Sequence, residues 1–170
     1  PYGASKYMPE SMCGVWSRLY DIDTVCLRYF NVYSYDQKAE GPYATAVANW
    51  MQFIRDGKSP FITGDGEQRR DMANKEDIIA ANLFAMSYEG KMGGAHFDVG
   101  TGDNISLNEM KKIVLEYFPK VKFDYVLPRD GDVLYTKADM EPLENLGWNP
   151  KIDIREGISE CFRNLKKEIG

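Results

Sequence analysis

Apolar residues recur at spacings of three and four through residues 2–20, where Tyr7, Met8, Met12, Val15, Trp16, Leu19 and Tyr20 make a broad face. That period predicts a helix, and Pro9 predicts a kink or a distorted first turn inside it. Asp21 and Asp23 break the pattern, and residues 24–30 then read as a short buried strand. A polar loop over 33–43 ends at Gly41-Pro42, strong turn chemistry. Helical spacing returns over 44–55 through Val47, Ala48, Met51 and Ile54, and Asp56-Gly57 closes it.

The rhythm continues to the end of the chain. Residues 61–63 predict a strand before the turn Gly64-Asp65-Gly66, and residues 76–88 predict a helix carrying Ile78, Ile79, Leu83 and Phe84. Phe97-Asp98-Val99 leads into a second glycine turn, Gly100-Thr101-Gly102. Ser106 followed by Glu109 is a capping box that opens a helix through Ile113, Val114 and Tyr117. A strand over 121–126 and a last helix over 154–167 complete the set. Helices and strands alternate throughout, which predicts a compact α/β fold without repeats.

Composition narrows the function classes. The 170 residues carry 21 Lys+Arg against 26 Asp+Glu, a net charge of −5, which lacks the basic footprint of a nucleic-acid binder. No apolar run approaches the ~18 residues of a membrane span. The chain opens on Pro1 without a charged-then-apolar leader, so a soluble, cytoplasmic location and no membrane partner are expected. Cys13, Cys26 and Cys161 are odd in number and far apart, the pattern of free thiols in a reducing compartment. His96, the one histidine, has no carboxylate or cysteine at ligand spacing, so no metal site and no serine triad are expected.

Four groups of residues carry candidate chemistry. Tyr2 and Lys6 stand four apart on one helix face, where an ammonium favours phenolate and lowers a tyrosine pKa from about 10 toward acid/base use. An ordinary surface pair gives the same spacing. Arg28-Tyr29-Phe30-Asn31 ends a strand, where open α/β sheets bind ligands, although Asn31 also suits a plain turn. Arg69 and Arg70 follow a glycine turn and suit a phosphate fork, or equally pairing with Glu67 and Asp71. Arg129 and Asp132 lie on a further turn. Gly100-Thr101-Gly102 lacks the full phosphate-loop pattern and reads as a strand-to-helix connection.

The order of these motifs is more specific than any one of them. Pro1-Tyr2-Gly3-Ala4-Ser5-Lys6 resembles the Tyr-x-x-x-Lys helix of the extended short-chain dehydrogenases/reductases. Leu27-Arg28-Tyr29-Phe30-Asn31-Val32-Tyr33, then Gly64-Asp65-Gly66-Glu67-Gln68-Arg69-Arg70-Asp71, Arg129-Asp130-Gly131-Asp132 and Leu146-Gly147-Trp148-Asn149-Pro150 follow in the family's order. Together they resemble the C-terminal half of the nucleotide-sugar epimerases, most of all the UDP-glucose and UDP-N-acetylglucosamine 4-epimerases. The resemblance implies a fold made of the last part of a Rossmann-like doubly wound sheet and a small mixed α/β substrate-binding subdomain. Residues 1–35 would end the NAD-binding domain, and 36–170 would be mostly substrate-binding, with segments returning to the sheet.

The same resemblance implies roles. Tyr2 would be the catalytic acid/base on a sugar hydroxyl while hydride passes between sugar and NAD. Lys6 would hold the nicotinamide ribose and keep Tyr2 acidic. Tyr29 and Phe30 would line the nicotinamide pocket, and Asn31, Arg70 and Arg129 would bind the diphosphate. Asp132 would reach the ribose, with Ile62 and Thr63 bordering the base. A nucleotide-sugar, most simply a UDP-hexose, is the implied substrate, and a homodimer through the first helix is the implied assembly. Its Met8, Met12, Trp16 and Leu19 serve that dimer or an upstream half equally well.

Departures from the family pattern qualify the details. Ser34-Tyr35-Asp36-Gln37 stands where the family has Gly-Pro-Arg-Gln, so Asp36 would repel a phosphate. Met72-Ala73-Asn74-Lys75 replaces the family's aromatic and β-branched residues after the aspartate. The glycine-rich turn that seats the NAD diphosphate is absent, so the N-terminal NAD-binding half is expected to be missing and the chain alone to be inactive. A nucleotide-sugar 4,6-dehydratase or reductase on the same frame, or a non-catalytic sugar-nucleotide-binding module, are the alternatives.

Overall fold

The computed structural model describes residues 2–41, 44–128 and 131–170, Tyr2 through its backbone. Helix α1 (Tyr2–Tyr20) runs with Pro9 inside it and ends at Asp21, whose φ of 51° is a left-handed turn that aspartate tolerates. Strand β1 (Val25–Tyr29) pairs in parallel with β6 (Ala95–Val99), and β2 (Asn31–Tyr33) with β5 (Met72–Asn74). Strand β3 (Phe61–Thr63) pairs in parallel with β8 (Asp124–Val126), while β4 (Arg69–Arg70) and β7 (Ile105–Ser106) are antiparallel. Helices α2 (Ala46–Arg55), α3 (Lys75–Ser87), α4 (Leu107–Tyr117), the short α5 (Glu141–Glu144) and α6 (Ile154–Ile169) supply the other layer. Parallel pairing of strands distant in sequence makes this an α/β fold.

Side-chain caps set the helix starts. Thr45 accepts from the amide of Ala48, so α2 begins at Ala46 rather than at 44. Asn74 does the same for α3. At α4 the expected box forms on both sides, with Glu109 N–H donating to Ser106 Oγ at 3.1 Å and Ser106 N–H to Glu109 Oε2 at 2.9 Å. Only 124–126 of the strand expected over 121–126 is extended in the sheet. The strands β2, β4, β5 and β7 have two or three residues each, too few to show a period.

Two apolar cores interleave along the chain. One gathers Val47, Trp50 and Met51 of α2, Met110 and Val114 of α4, and Ile154, Ile158, Cys161, Phe162 and Leu165 of α6. The other packs Val99, Phe97, Ala81 and Ile78 against Met140, Leu143 and Trp148. Apolar side chains outside both cores stay exposed on α1 (Met8, Met12, Leu19) and on α3 (Ile79, Leu83, Met86). Among the described residues β1 is paired along one edge only.

A surface clamp fastens α6 to α2. Glu168 accepts a bidentate pair from Arg55, Nε and Nη2 each at 2.9 Å, and the Tyr35 hydroxyl donates to the same carboxylate. The Arg55 fork, then the Tyr35 hydroxyl, hold Glu168 down at about 2, against 4.5 for an ordinary glutamate. A depressed carboxyl pKa gives stability that is full above pH 4.5 and is lost as the pH falls toward 2. Acid titration of Glu168→Gln should therefore show a stability deficit at pH 6 that shrinks steeply between pH 4.5 and pH 2. A deficit constant across that range would remove the clamp from the account.

Candidate functional site

The sequence places its candidate residues on α1, at the ends of β1 and β3, and around β4, and the fold turns these toward one cavity of about 1120 Å³. Lys6 of α1, Tyr29 and Phe30 at the carboxyl end of β1, and Asn31 at the start of β2 line one side. Thr63, Arg70 and Asp132 line the other. The Phe30 amide donates to Val99 O at 3.0 Å and the Tyr29 hydroxyl to Asn82 Oδ1 at 2.8 Å, which hold this strand end in place. The side chain of Tyr2 and the whole of Arg129 lie outside the described residues.

Strand alternation sorts the remaining candidates. Ile62 is 0% exposed and belongs to the core, so it does not line the cavity; its neighbours Phe61 and Thr63 do. Gln68 steadies Thr63 by donating to its carbonyl at 2.8 Å and to Oγ1 at 2.9 Å. The adjacent arginines diverge in the same way. Arg69 turns to Asn104 Oδ1 at 2.7 Å and Glu109 Oε2 at 2.7 Å, whereas Arg70 faces the cavity and donates to Asp132 at 2.7 Å. One further Arg70 contact, to Arg69 O at 3.0 Å, leaves part of its guanidinium fork directed at the cavity.

Asp71 explains the second glycine turn. Its side chain is fully buried and accepts from the amides of Thr101 (2.8 Å), Gly102 (3.0 Å) and Ala138 (3.0 Å) and from the Thr101 hydroxyl (2.9 Å). The turn amides thus do bind an anion, but it is the protein's own carboxylate. A Cβ at Gly100 would stand 2.7 Å from Asp71 Oδ2, so the turn closes around that group only with glycine there.

The two departures from the family pattern meet each other. Lys75 Nζ donates to both oxygens of Asp36, at 2.8 and 2.7 Å, because the parallel register of β2 on β5 brings the residues following each strand together. The pairing lowers the Asp36 carboxyl and raises the Lys75 ammonium from their ordinary values. Asp36 is neutralised in place, and the repulsion of a phosphate that its charge alone implies is cancelled.

Sequence reasoning missed the contribution of α2. Gln37, Ala44, Thr45, Ala46, Asn49 and Trp50 line the cavity, so the amino end of this helix, with its positive partial charge, faces the same space. The signal lay in Thr45, a cap residue directly after a loop. Also lining the cavity, Arg28 makes a fork with Glu10 of α1, Nε at 2.8 Å and Nη2 at 2.5 Å, and the arginine holds the Glu10 carboxyl below its usual value. A cavity with an arginine, a helix amino end, an amide side chain and hydroxyls suits an anionic, polyhydroxylated ligand with a flat ring. Among the described residues no group of three His, Cys, Asp or Glu side chains clusters as a metal site, and no helix is long and apolar enough to cross a membrane.

The sequence profile of the NAD dependent epimerase/dehydratase family matches residues 1–100. A Methanocaldococcus jannaschii protein, provisionally named a UDP-glucose 4-epimerase, is 35% identical over 98% of this chain and 53% of its own length. The solved UDP-glucose 4-epimerase of Thermotoga maritima with UDP-glucose superposes with a TM-score of 0.88 at 32% identity, covering 100% of this chain and 54% of that one. The UDP-N-acetylglucosamine 4-epimerase of Methanobrevibacter ruminantium, in complex with UDP-N-acetylmuramic acid, gives 0.87 at 28% identity over 99% and 54%. The chain spans about half the length of the relatives it matches.

Proposed function

Because the chain belongs to the NAD dependent epimerase/dehydratase family, we propose that it is the substrate-binding half of a nucleotide-sugar 4-epimerase acting on a UDP-hexose. One observation carries the reading: Lys6, Tyr29, Phe30, Asn31, Thr63, Arg70 and Asp132, scattered over more than a hundred residues, line a single cavity. The solved relatives that hold UDP-sugars support UDP as the nucleotide. In this reading residues 1–35 close the NAD-binding domain and most of 36–170 receives the substrate.

Arg70 and the amino end of α2 neutralise the diphosphate, Asn31 donates to it, and Arg129 adds a second guanidinium. Asp132 holds Arg70 in its working orientation and accepts from the ribose, while Thr63 borders the base. Tyr2 exchanges a proton with a sugar hydroxyl, and the ammonium of Lys6, one helical turn away, favours its phenolate.

NAD fits this chain at one end only. Lys6 and the rings of Tyr29 and Phe30 would hold its nicotinamide riboside at the carboxyl edge of β1. The glycine turn at 100–102 offers nothing to its diphosphate, since Asp71 occupies those amides. When bound, the cofactor supplies the hydride acceptor and donor for the sugar carbon. We place the rest of the NAD site on a second half paired along the open edge of β1, and assign the apolar face of α1 to a homodimer of the assembled enzyme.

Calorimetric titration tests the binding part. The purified chain should give saturable heat with UDP-glucose and with UDP, and none with glucose at equal concentration. Binding of glucose without UDP, or of neither nucleotide, would contradict the proposal.

A further inference from the structure

The seam between α1 and β1 holds a pair of thiols that the proposed chemistry does not use. Contacts at both ends fix how helix and strand face each other. Glu10 binds Arg28 at 2.8 and 2.5 Å; one turn pair further on, Ser17 Oγ lies 2.7 Å from Thr24 Oγ1, and Thr24 Oγ1 donates to the Cys13 carbonyl at 2.9 Å. Residues 10, 13 and 17 share one helix face, and residues 24, 26 and 28 share one strand face. Between the two tethers, the side chains left to meet are Cys13 and Cys26.

Close packing and access complete the picture. A Cβ on Gly94 would stand 2.4 Å from the Cα of Gly14, so the helix backbone presses against the approach to β6 just beside Cys13. Cys26 also lines the large cavity, which gives a small reagent a path to it. Burial, and then the Cys13 thiol against it, push Cys26 up to about 11, so Cys26 rests as the thiol at neutral pH. Cys161 lies apart, 3% exposed in the core around α6.

We propose that Cys13 and Cys26 are a redox pair that closes reversibly into a disulfide across the α1–β1 seam. The oxidant is a low-molecular-weight disulfide. One cysteine thiolate attacks it, forming a mixed disulfide and releasing one thiol; the second cysteine then attacks the protein sulfur of that mixed disulfide and releases the other. Two protein thiols and one disulfide become one protein disulfide and two small thiols, so electrons and protons balance. The bond ties the helix carrying Tyr2 and Lys6 to the strand leading into Tyr29, Phe30 and Asn31, and it stands whatever ligand the cavity takes.

The test is equilibration of the purified chain with oxidised and reduced glutathione, acid quench, alkylation and tryptic digestion without reductant. The expected product is peptide 7–18 linked to peptide 19–28, with Cys161 alkylated and three free thiols restored by dithiothreitol. Cys26→Ser should give no linked species and leave glutathione on Cys13. Separate glutathione adducts on Cys13 and Cys26 in the wild-type chain, disulfides between chains, or three alkylated thiols at the most oxidising ratio would each overturn the proposal.

Discussion

The purified chain is expected to turn over no UDP-glucose by itself, and to gain turnover when joined to the NAD-binding half of the Thermotoga maritima UDP-glucose 4-epimerase. The expectation rests on geometry. The chain superposes on 54% of that enzyme at a TM-score of 0.88, one edge of its β1 is unpaired among the described residues, and α3 exposes Ile79, Leu83 and Met86 beside it. An added half would cover those apolar faces and supply the remainder of the NAD site. In the joined protein Tyr2→Phe should lower turnover by about 10²–10⁴-fold, the range of a positioned acid/base, with much smaller change in UDP affinity. Turnover by the chain alone, or a joined Tyr2→Phe protein as active as its parent, would contradict this assignment.

Asp71→Ala should be the most damaging single change to stability. The carboxylate is fully buried and accepts four hydrogen bonds, three of them from backbone amides. Each unsatisfied buried donor costs about 1–3 kcal/mol, and partial relaxation reduces the sum to about 3–5 kcal/mol. The loss would loosen Gly100-Thr101-Gly102 and the segment at Ala138 together, and with them the strand pair that positions Arg70. Denaturant unfolding measures it directly. A loss below about 1 kcal/mol would mean that the turn is held by something other than this side chain.

How far the sequence spoke for the structure depended on length and on partners. Long amphipathic segments were legible: α2, α4 and α6 follow their apolar spacing, and Ser106 with Glu109 marked a helix start to the residue. Motif order was legible too, and it collected seven side chains that one cavity brings together. Orientation inside very short strands was not. Nothing in Phe61-Ile62-Thr63 or Arg69-Arg70 tells which neighbour faces inward, because two or three residues define no period. Pairing across the sheet was equally silent: Asp36 and Lys75 each read as a departure, and only the register of β2 on β5 reveals that they neutralise one another. The same holds for Asp71, whose place in a phosphate-like motif hid its role as the ligand of the glycine turn.

The adjacent arginines offer the most direct test of the nucleotide-sugar site, since they share one sequence signal and part company in the fold. Arg70 lines the cavity, whereas Arg69 is bound to Asn104 and Glu109. Calorimetric titration of UDP-glucose into folded Arg70→Ala and Arg69→Ala proteins compares them. A charged hydrogen bond is worth about 1.5–3 kcal/mol, so Arg70→Ala should weaken binding by about 10–100-fold while Arg69→Ala stays within about threefold of the wild-type chain. Equal affinities for Arg70→Ala and the wild-type chain, or a larger loss at Arg69 than at Arg70, would contradict the account.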